Sequence, residues 1–418
     1  MSVLVLAAAA LGGCAFNCAD KKSVAYFPND SFEPAKVLLD ESGRVVNAHG
    51  AGFLYDGGRY YMFGEHKLGG ELGNKALVGV HCYSSADLLN WRDEGIALPM
   101  SEDPNSPIIK GTILERPKVV YNAATKKYVM FFHLEKRSGP TAKSTNIDDI
   151  LAEKSDYSAA MLGTAVSDKP EGPYNFLSAG RINAGKYPAG REAHFKAVRA
   201  ELDAKYPNWK TAPHRKRKGE NPALDGQIFL RDFDGGQMSR DFTVFVDDDK
   251  TAYVFTASED NLTLHIHELD ASYTGFTGKF ARALIGGENE APAVFKKGGK
   301  YFMFSSHCTG WAPNAGRIST ADSPLGEWRE LGNPCRGDGR EETLFAPEAK
   351  ADTTFRSQST YVISVIGKKD AFIYVGDRWM PQDAIDGRYV FLPVEWENST
   401  PVIRWRDSWE LSLFDAVK

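Results

Sequence analysis

The residue best placed for chemistry is Glu290, in the stretch Asn289-Glu290-Ala291-Pro292-Ala293. It stands directly before a small, rigid Ala-Pro turn, between polar sequence and the aromatic run Lys300-Tyr301-Phe302-Met303-Phe304. A carboxyl carried at a sheet end is held at one fixed point, as proton transfer requires, so Glu290 reads as a general acid. Polar clusters of the same kind recur along the chain. They are Asn47-Ala48-His49-Gly50, Gly64-Glu65, Glu115-Arg116-Pro117-Lys118, Ser239-Arg240-Asp241, Ser258-Glu259-Asp260-Asn261, Cys308-Thr309-Gly310-Trp311, Ser357-Gln358-Ser359-Thr360 and Asp377-Arg378-Trp379. Each lies just before or after an aromatic strand. Scattered surface charge would not keep that phase, so the clusters converge on one pocket.

The elements that must position them carry a repeated signature: Arg59-Tyr60-Tyr61-Met62-Phe63, Lys127-Tyr128-Val129-Met130-Phe131, Ala252-Tyr253-Val254-Phe255, Lys300-Tyr301-Phe302-Met303-Phe304 and Thr360-Tyr361-Val362-Ile363. Most copies follow a turn and an earlier apolar strand, which reads as a hairpin. Five hairpins predict an all-β protein, a five-bladed β-propeller with one hairpin per blade. The run from Ile403 to Leu411 is expected to supply the strand that closes the ring. Between the second and third copies, Ala193 to Lys205 has helical composition and an apolar recurrence near three to four residues. It predicts a helical insertion, about 180–225, either packed on the propeller flank or lying over the pocket as a lid.

The segments NAHGAGFLYDGGRYYMFGE, ILERPKVVYN, MSRDFTVFVDDD, SEDNLTLHI, NEAPAVF, CTGWAPNA, FRSQSTYV and AFIYVGDRW together resemble glycoside hydrolase family 43, and within it the exo-β-1,3-galactanases. The resemblance implies a propeller and hydrolysis with inversion, through an oxocarbenium-like transition state. It makes Glu290 the acid and Asp241 the carboxylate that raises its proton affinity by like charge. Glu115 becomes a further pocket carboxylate. Most of the family carries an aspartate base at the start of the first blade, where this chain reads Asn47-Ala48-His49-Gly50. Gln358 then stands where the water is activated, with Glu115 as the other candidate base, because a neutral amide is a poor base. Trp311 offers an apolar face to a sugar ring. Glu65, Glu259, Asn261, Thr309 and Arg378 form the expected hydroxyl-binding set, with His49 on the channel axis. The structural alternatives are an arginine partner for Asp241 and Arg116 as partner of Glu115.

The chain has 418 residues and a net charge of −5, so nothing points to nucleic acid. The basic run His214 to Lys218 reads as a solvated loop. The apolar stretch from Met1 ends in Leu11-Gly12-Gly13-Cys14, which resembles a lipobox. Residues 1–20 are therefore expected to form a signal or lipoprotein-like segment and 21–418 the catalytic propeller. The chain is expected to be exported to a bacterial periplasm or outer membrane, touching membrane only through that anchor. Cys308 and Cys335 could pair after export. No metal or cofactor is expected. The partner is an oligo- or polysaccharide, and the chain is expected to be a monomer. Three activities fit: release of galactose from β-1,3-galactan, another family 43 exo-glycosidase such as an α-L-arabinofuranosidase, or a sugar-binding propeller without catalysis.

Overall fold

The computed structural model describes residues 28–153, 157–211, 226–337 and 350–415. The expected signal segment with Cys14 and Cys18, and the basic run at 214–218, lie outside the described residues.

Five antiparallel sheets follow one another along the chain. Blade one holds β1 (His49–Asp56), β2 (Arg59–Glu65), β3 (Gly79–Ser85) and β4 (Arg92–Pro99). Blade two holds β5 (Ile113–Asn122), β6 (Lys127–Glu135), β7 (Met161–Ser167) and β8 (Asn175–Gly180). Blade three holds β9 (Phe242–Val246), β10 (Ala252–Ser258), β11 (Thr263–Leu269) and β12 (Phe276–Ala283). Blade four holds β13 (Asn289–Lys297), β14 (Lys300–His307), β15 (Arg317–Ala321) and β16 (Arg329–Gly332). Blade five holds β18 (Gln358–Ser364), β19 (Phe372–Arg378), β20 (Arg388–Glu397) and β21 (Thr400–Arg404), with the short β17 (Cys335–Arg336) added in parallel to β21. The first strands meet around the axis: β1 on β5, β5 on β9, β9 on β13, β13 on β18, and β18 back on β1. The fold is a closed five-bladed propeller.

The aromatic signature has a packing cause. Successive side chains of a strand point to opposite faces, and a strand sandwiched between blades needs both faces apolar. In β6, Met130 and Phe132 enter the core between blades one and two, while Val129 and Phe131 enter the core between blades two and three. In β14, Tyr301 and Met303 face blade three, while Phe302 and Phe304 face blade five. Each fully buried aromatic contributes about 1.5–3 kcal/mol. The turns feeding these strands use glycine where both central residues need positive φ, as at Gly57 (56°) and Gly58 (83°).

Two expectations need correcting. The fifth signature, Thr360 to Ile363, lies in the inner strand β18, and the second strand of that blade is β19. The C-terminal run does not mix into the first sheet, since β21 pairs within blade five. The ring closes by side-chain packing instead, with Phe32 stacked on Trp409 at 4.2 Å in a core shared by blades one and five.

The helix Glu192–Lys205 sits between β8 and β9. Its Phe195, Val198 and Leu202 pack with Trp209, Phe229 and Phe280 of β12, the outer strand of blade three. That is the flank reading, and the helix does not line the pocket described below. Cys82, Cys308 and Cys335 are all free thiols, so the suggested Cys308–Cys335 pair is absent. Among the described residues no helix is long and apolar enough to cross a membrane.

Candidate active site

The strand heads aim the pocket groups by a common device. The β-ladder slips between Glu115 and Lys118 in β5, between Glu290 and Ala293 in β13, and between His49 and Gly52 in β1. Such bulges re-aim a side chain at a strand end. The residue after each polar group turns into the left-handed region: Arg116 at φ 53°, Ala291 at 54° and Gly50 at 60°. Two of these carry a Cβ, a strain of the kind that gathers at functional sites. In blade three Asp241 precedes β9 and is pinned when Ala257 N–H donates to its carbonyl at 2.8 Å.

These heads enclose an axial pocket of about 240 Å³. That is below the 300–1,000 Å³ typical of drug-sized ligands and suits a single ring. Glu65, Glu115, Asp241 and Glu290 line it with the cations Lys67 and Arg116. Tyr157, Trp311 and Trp379 add aromatic surface, and Asn74 and Gln358 add amides.

Arg116 is the hub. Its Nε lies 2.9 Å from Asp241 Oδ1, and its backbone N–H donates to Glu65 Oε1 at 2.9 Å. Its guanidinium also donates to the Ser359 carbonyl (3.1 Å) and to the Gln358 side-chain oxygen, and it lies over the Trp379 ring. Beneath it the buried Lys118 ammonium donates to the carbonyls of Gly50 (3.0 Å) and Arg116 (3.1 Å). Burial and then the Arg116 charge push the Lys118 ammonium well below the usual lysine range.

The two carboxyls at the bulged heads are tuned apart. Burial first, then the charge of Asp241, raises Glu290 to about 7. Asn261 Nδ2 donates to Glu290 Oε1 at 2.5 Å. For Glu115 burial is again the largest influence and acts upward. It is outweighed by His133, whose Nδ1 lies 3.0 Å from Oε2, with help from Lys67 and the Tyr157 hydroxyl at 2.7 Å. Glu115 is held at about 2. Burial would lower His133, but Glu115 and Glu135 (2.8 Å from Nε2) lift it to about 9. Glu65 is raised by burial despite its ion pair with Lys67 at 2.5 Å.

Of the residues singled out from sequence, Glu290, Asp241, Glu115, Gln358, Glu65 and Trp311 line the pocket. Asn261 reaches it through Glu290. Four others stand elsewhere. His49 is fully buried, stacked on Tyr389 with Nδ1 3.4 Å from Asp377. Glu259 is buried between His265 (2.6 Å) and Arg282 (2.5 Å). Thr309 spends its hydroxyl on the Ala312 carbonyl and the Asn314 amide. Arg378 donates to the Phe355 carbonyl and lines a neighbouring groove. The Glu115–Arg116 pair, weighed as the structural alternative for Glu115, is not formed; the arginine partner weighed for Asp241 is, and it is Arg116. Asn47 exchanges two 2.8 Å hydrogen bonds with the Lys67 backbone, fixing that lysine.

Sequence reasoning missed Lys67, Asn74, Tyr157 and Trp379, and treated Arg116 only as a partner. Trp379 and Arg116 stood inside clusters already in phase with the strands. Lys67, Asn74 and Tyr157 come from loops that carry no repeat. Among the described residues, Glu115, His133 and Asp241 place ligand-type atoms within 4.8 Å of one another. Both His133 nitrogens face carboxylates and its ring is held protonated, so it offers no lone pair to a cation.

Residues 225–408 match the sequence profile of glycosyl hydrolases family 43. A solved family 43 β-1,3-galactosidase with galactodeoxynojirimycin is 43% identical, with a TM-score of 0.77 over 91% of this chain and 100% of that one. A substituted exo-β-1,3-galactanase from Phanerochaete chrysosporium, solved with β-1,3-galactotriose, is 27% identical (TM-score 0.66, 92% of this chain and 68% of that one). An exo-β-1,3-galactanase from Clostridium thermocellum is 28% identical (TM-score 0.65, 90% and 66%). No match was found among curated protein sequences. With the propeller, the acid-lined axial pocket and 43% identity across the full length of a solved member, the chain belongs to glycoside hydrolase family 43 and is a glycoside hydrolase.

Proposed function

We propose that the protein is an inverting, exo-acting β-1,3-galactanase that removes galactose from the end of a β-1,3-galactan. The observation that carries the reading is Glu290, a carboxyl kept protonatable near neutral pH at the rim of a pocket sized for one ring. The names of the similar structures support the choice of sugar and linkage.

In this reading the terminal galactose fills the axial pocket against Trp311, with Arg116, Lys67 and Glu65 available to its hydroxyls. Glu290 gives its proton to the glycosidic oxygen as the C1–O bond breaks. A water adds to C1 from the opposite face, and its proton leaves toward the wall formed by Gln358 and Glu115. The positive charge that develops at the ring is stabilised by the ionised carboxylates around it. The small volume of the pocket favours a chain end over a chain middle.

The test is incubation with linear β-1,3-galactan, with products followed by proton NMR. Galactose is expected as the sole early product, and the α-anomer should appear first. Release of arabinose from an aryl α-L-arabinofuranoside, with no action on the galactan, would overturn the reading in favour of another family 43 activity. We propose in addition that the chain is exported and acylated at Cys14, on the strength of Leu11-Gly12-Gly13-Cys14. Labelling of expressing cells with a palmitate analogue checks it, since Cys14→Ser should abolish the label.

A further inference from the structure

The excursion between β8 and β9 carries the helix Glu192–Lys205 and a short second helix, Gln227–Arg231. Neither lines the axial pocket. Phe229 and Leu230 of the short helix are fully buried in the core that packs on Phe280 of β12. Their burial fixes the helix and delivers Arg231, at its end, to the turn between β10 and β11.

That turn is strained. Glu259, Asp260 and Asn261 lie consecutively in the left-handed region, at φ 52°, 56° and 66°. Residues with a Cβ avoid that region, and a run of three persists only where surroundings over-determine it. Each of the three has its own side-chain contact. Arg282 grips the buried Glu259 with two nitrogens, at 2.5 and 2.7 Å. The Arg282 guanidinium itself lies over Phe195 (5.3 Å) and Phe229 (5.7 Å), one ring from each helix of the excursion. Arg231 grips Asp260 in the same two-point way, at 2.8 and 3.2 Å. Asn261 Nδ2 donates to Glu290 Oε1 at 2.5 Å.

The turn is also tied to the strand head that carries Glu290. Glu288 N–H donates to the Leu262 carbonyl at 3.2 Å, and the Cys308 thiol donates to the carbonyls of Glu288 (3.4 Å) and Asn261 (3.8 Å). Two-point guanidinium–carboxylate pairs fix direction as well as distance. Arg231 and Asp260 are each less than a third exposed, and Arg231 is itself steadied by Asp232 at 2.9 and 2.8 Å. Such a network holds geometry better than an isolated surface pair.

We propose that Arg231 is a positioning residue for the general acid: together with Arg282 it locks the turn Glu259–Asn261, so that Asn261 holds the Glu290 carboxyl where it can donate. The flank excursion thereby governs catalysis without touching the pocket. The proposal rests on the reading of Glu290 as proton donor to a galactoside.

The experiment measures kcat and KM on β-1,3-galactobiose, whose leaving group needs a proton, and on 2,4-dinitrophenyl β-galactoside, whose leaving group does not. Arg231→Gln should lower kcat on galactobiose by about ten-fold or more with KM little changed, since slight misplacement of a reacting group costs up to about 10²-fold. On the dinitrophenyl substrate kcat should stay within about two-fold of wild type. Arg231→Lys keeps the charge and should recover part of the loss. Adding Arg231→Gln to Asn261→Ala should cost nothing further, because both act through one contact. Should Arg231→Gln fail to fold, Asp260→Asn breaks the same pair and carries the same expectations. Unchanged kcat on galactobiose, equal loss on both substrates, or losses that multiply in full in the double variant overturn the proposal. A lower thermal midpoint with the ratio of the two substrates unmoved marks a merely structural pair and overturns it too. Failure of wild type to cleave either galactoside would sink the galactanase reading, and the same contrast of leaving groups on the glycoside it does cleave would still judge Arg231.

Discussion

The heads of blades two and four are built alike and behave oppositely. Both present a glutamate at a bulge, then a left-handed residue, then a proline: Glu115-Arg116-Pro117 and Glu290-Ala291-Pro292. What differs is the residue across the ladder, His133 facing Glu115 and Ser306 facing Glu290. The imidazolium keeps Glu115 ionised to about pH 2. Glu290 meets no cation across the strand, and burial with the charge of Asp241 carries it to about 7. Backbone geometry thus sets where a carboxyl points, and one cross-strand partner sets whether it holds a proton.

The largest expected effect comes from removing the proton donor. Glu290→Gln should lower kcat on β-1,3-galacto-oligosaccharides by roughly 10²–10⁴-fold, the usual share of a general acid, with KM little changed. An aryl β-galactoside with a good leaving group needs less protonation and should lose far less. Equal loss on both substrates would show that Glu290 does something other than donate.

Next in size is the loss of the partner that distinguishes blade two. His133→Gln strips the cation from a buried pair, at a cost to folding of about 3–5 kcal/mol, readable from denaturant midpoints. The pH dependence has a definite sign. His133 titrates in the fold at about 9, above its unfolded value near 6.5. Its stabilisation is therefore complete below about 6.5 and is lost as pH rises through about 9. Glu115, at about 2, lies below its unfolded value near 4.3, so its stabilisation holds above that value and is lost as pH falls through about 2. A variant as stable as wild type at pH 7 would break the comparison.

The same contrast explains how much could be read beforehand. The aromatic strands were legible because burial between two blades demands apolar side chains on both faces, whatever the loops do. Glu290 was legible from its phase with such a strand. Glu259 and His49 share that phase but are taken up by partners distant in sequence, Arg282 for Glu259 and Asp377 for His49. Side-chain contacts at that separation leave no local mark in a sequence. Blade five was misread by one strand because its inner strand carries the aromatic pattern that the other blades keep for their second. Lys67 reached the pocket through an amide bridge to Asn47, the position where an expected carboxylate was missing.

The smallest predicted effect probes the second influence on Glu290. In the unliganded enzyme kcat/KM should fall as pH rises through about 7, where Glu290 loses its proton, with no matching acid-side fall until the region of Glu115 near 2. Asp241→Asn keeps an oxygen for Arg116 and removes the like charge. Because burial ranks ahead of Asp241 among the causes, the alkaline limb should move down but stay above the ordinary glutamate value near 4.3. An unmoved limb would mean that Arg116, 2.9 Å from Asp241, already cancels its charge at Glu290. A limb falling all the way to the ordinary value would mean that burial does none of the tuning, and the two blade heads would then differ only through their charged neighbours.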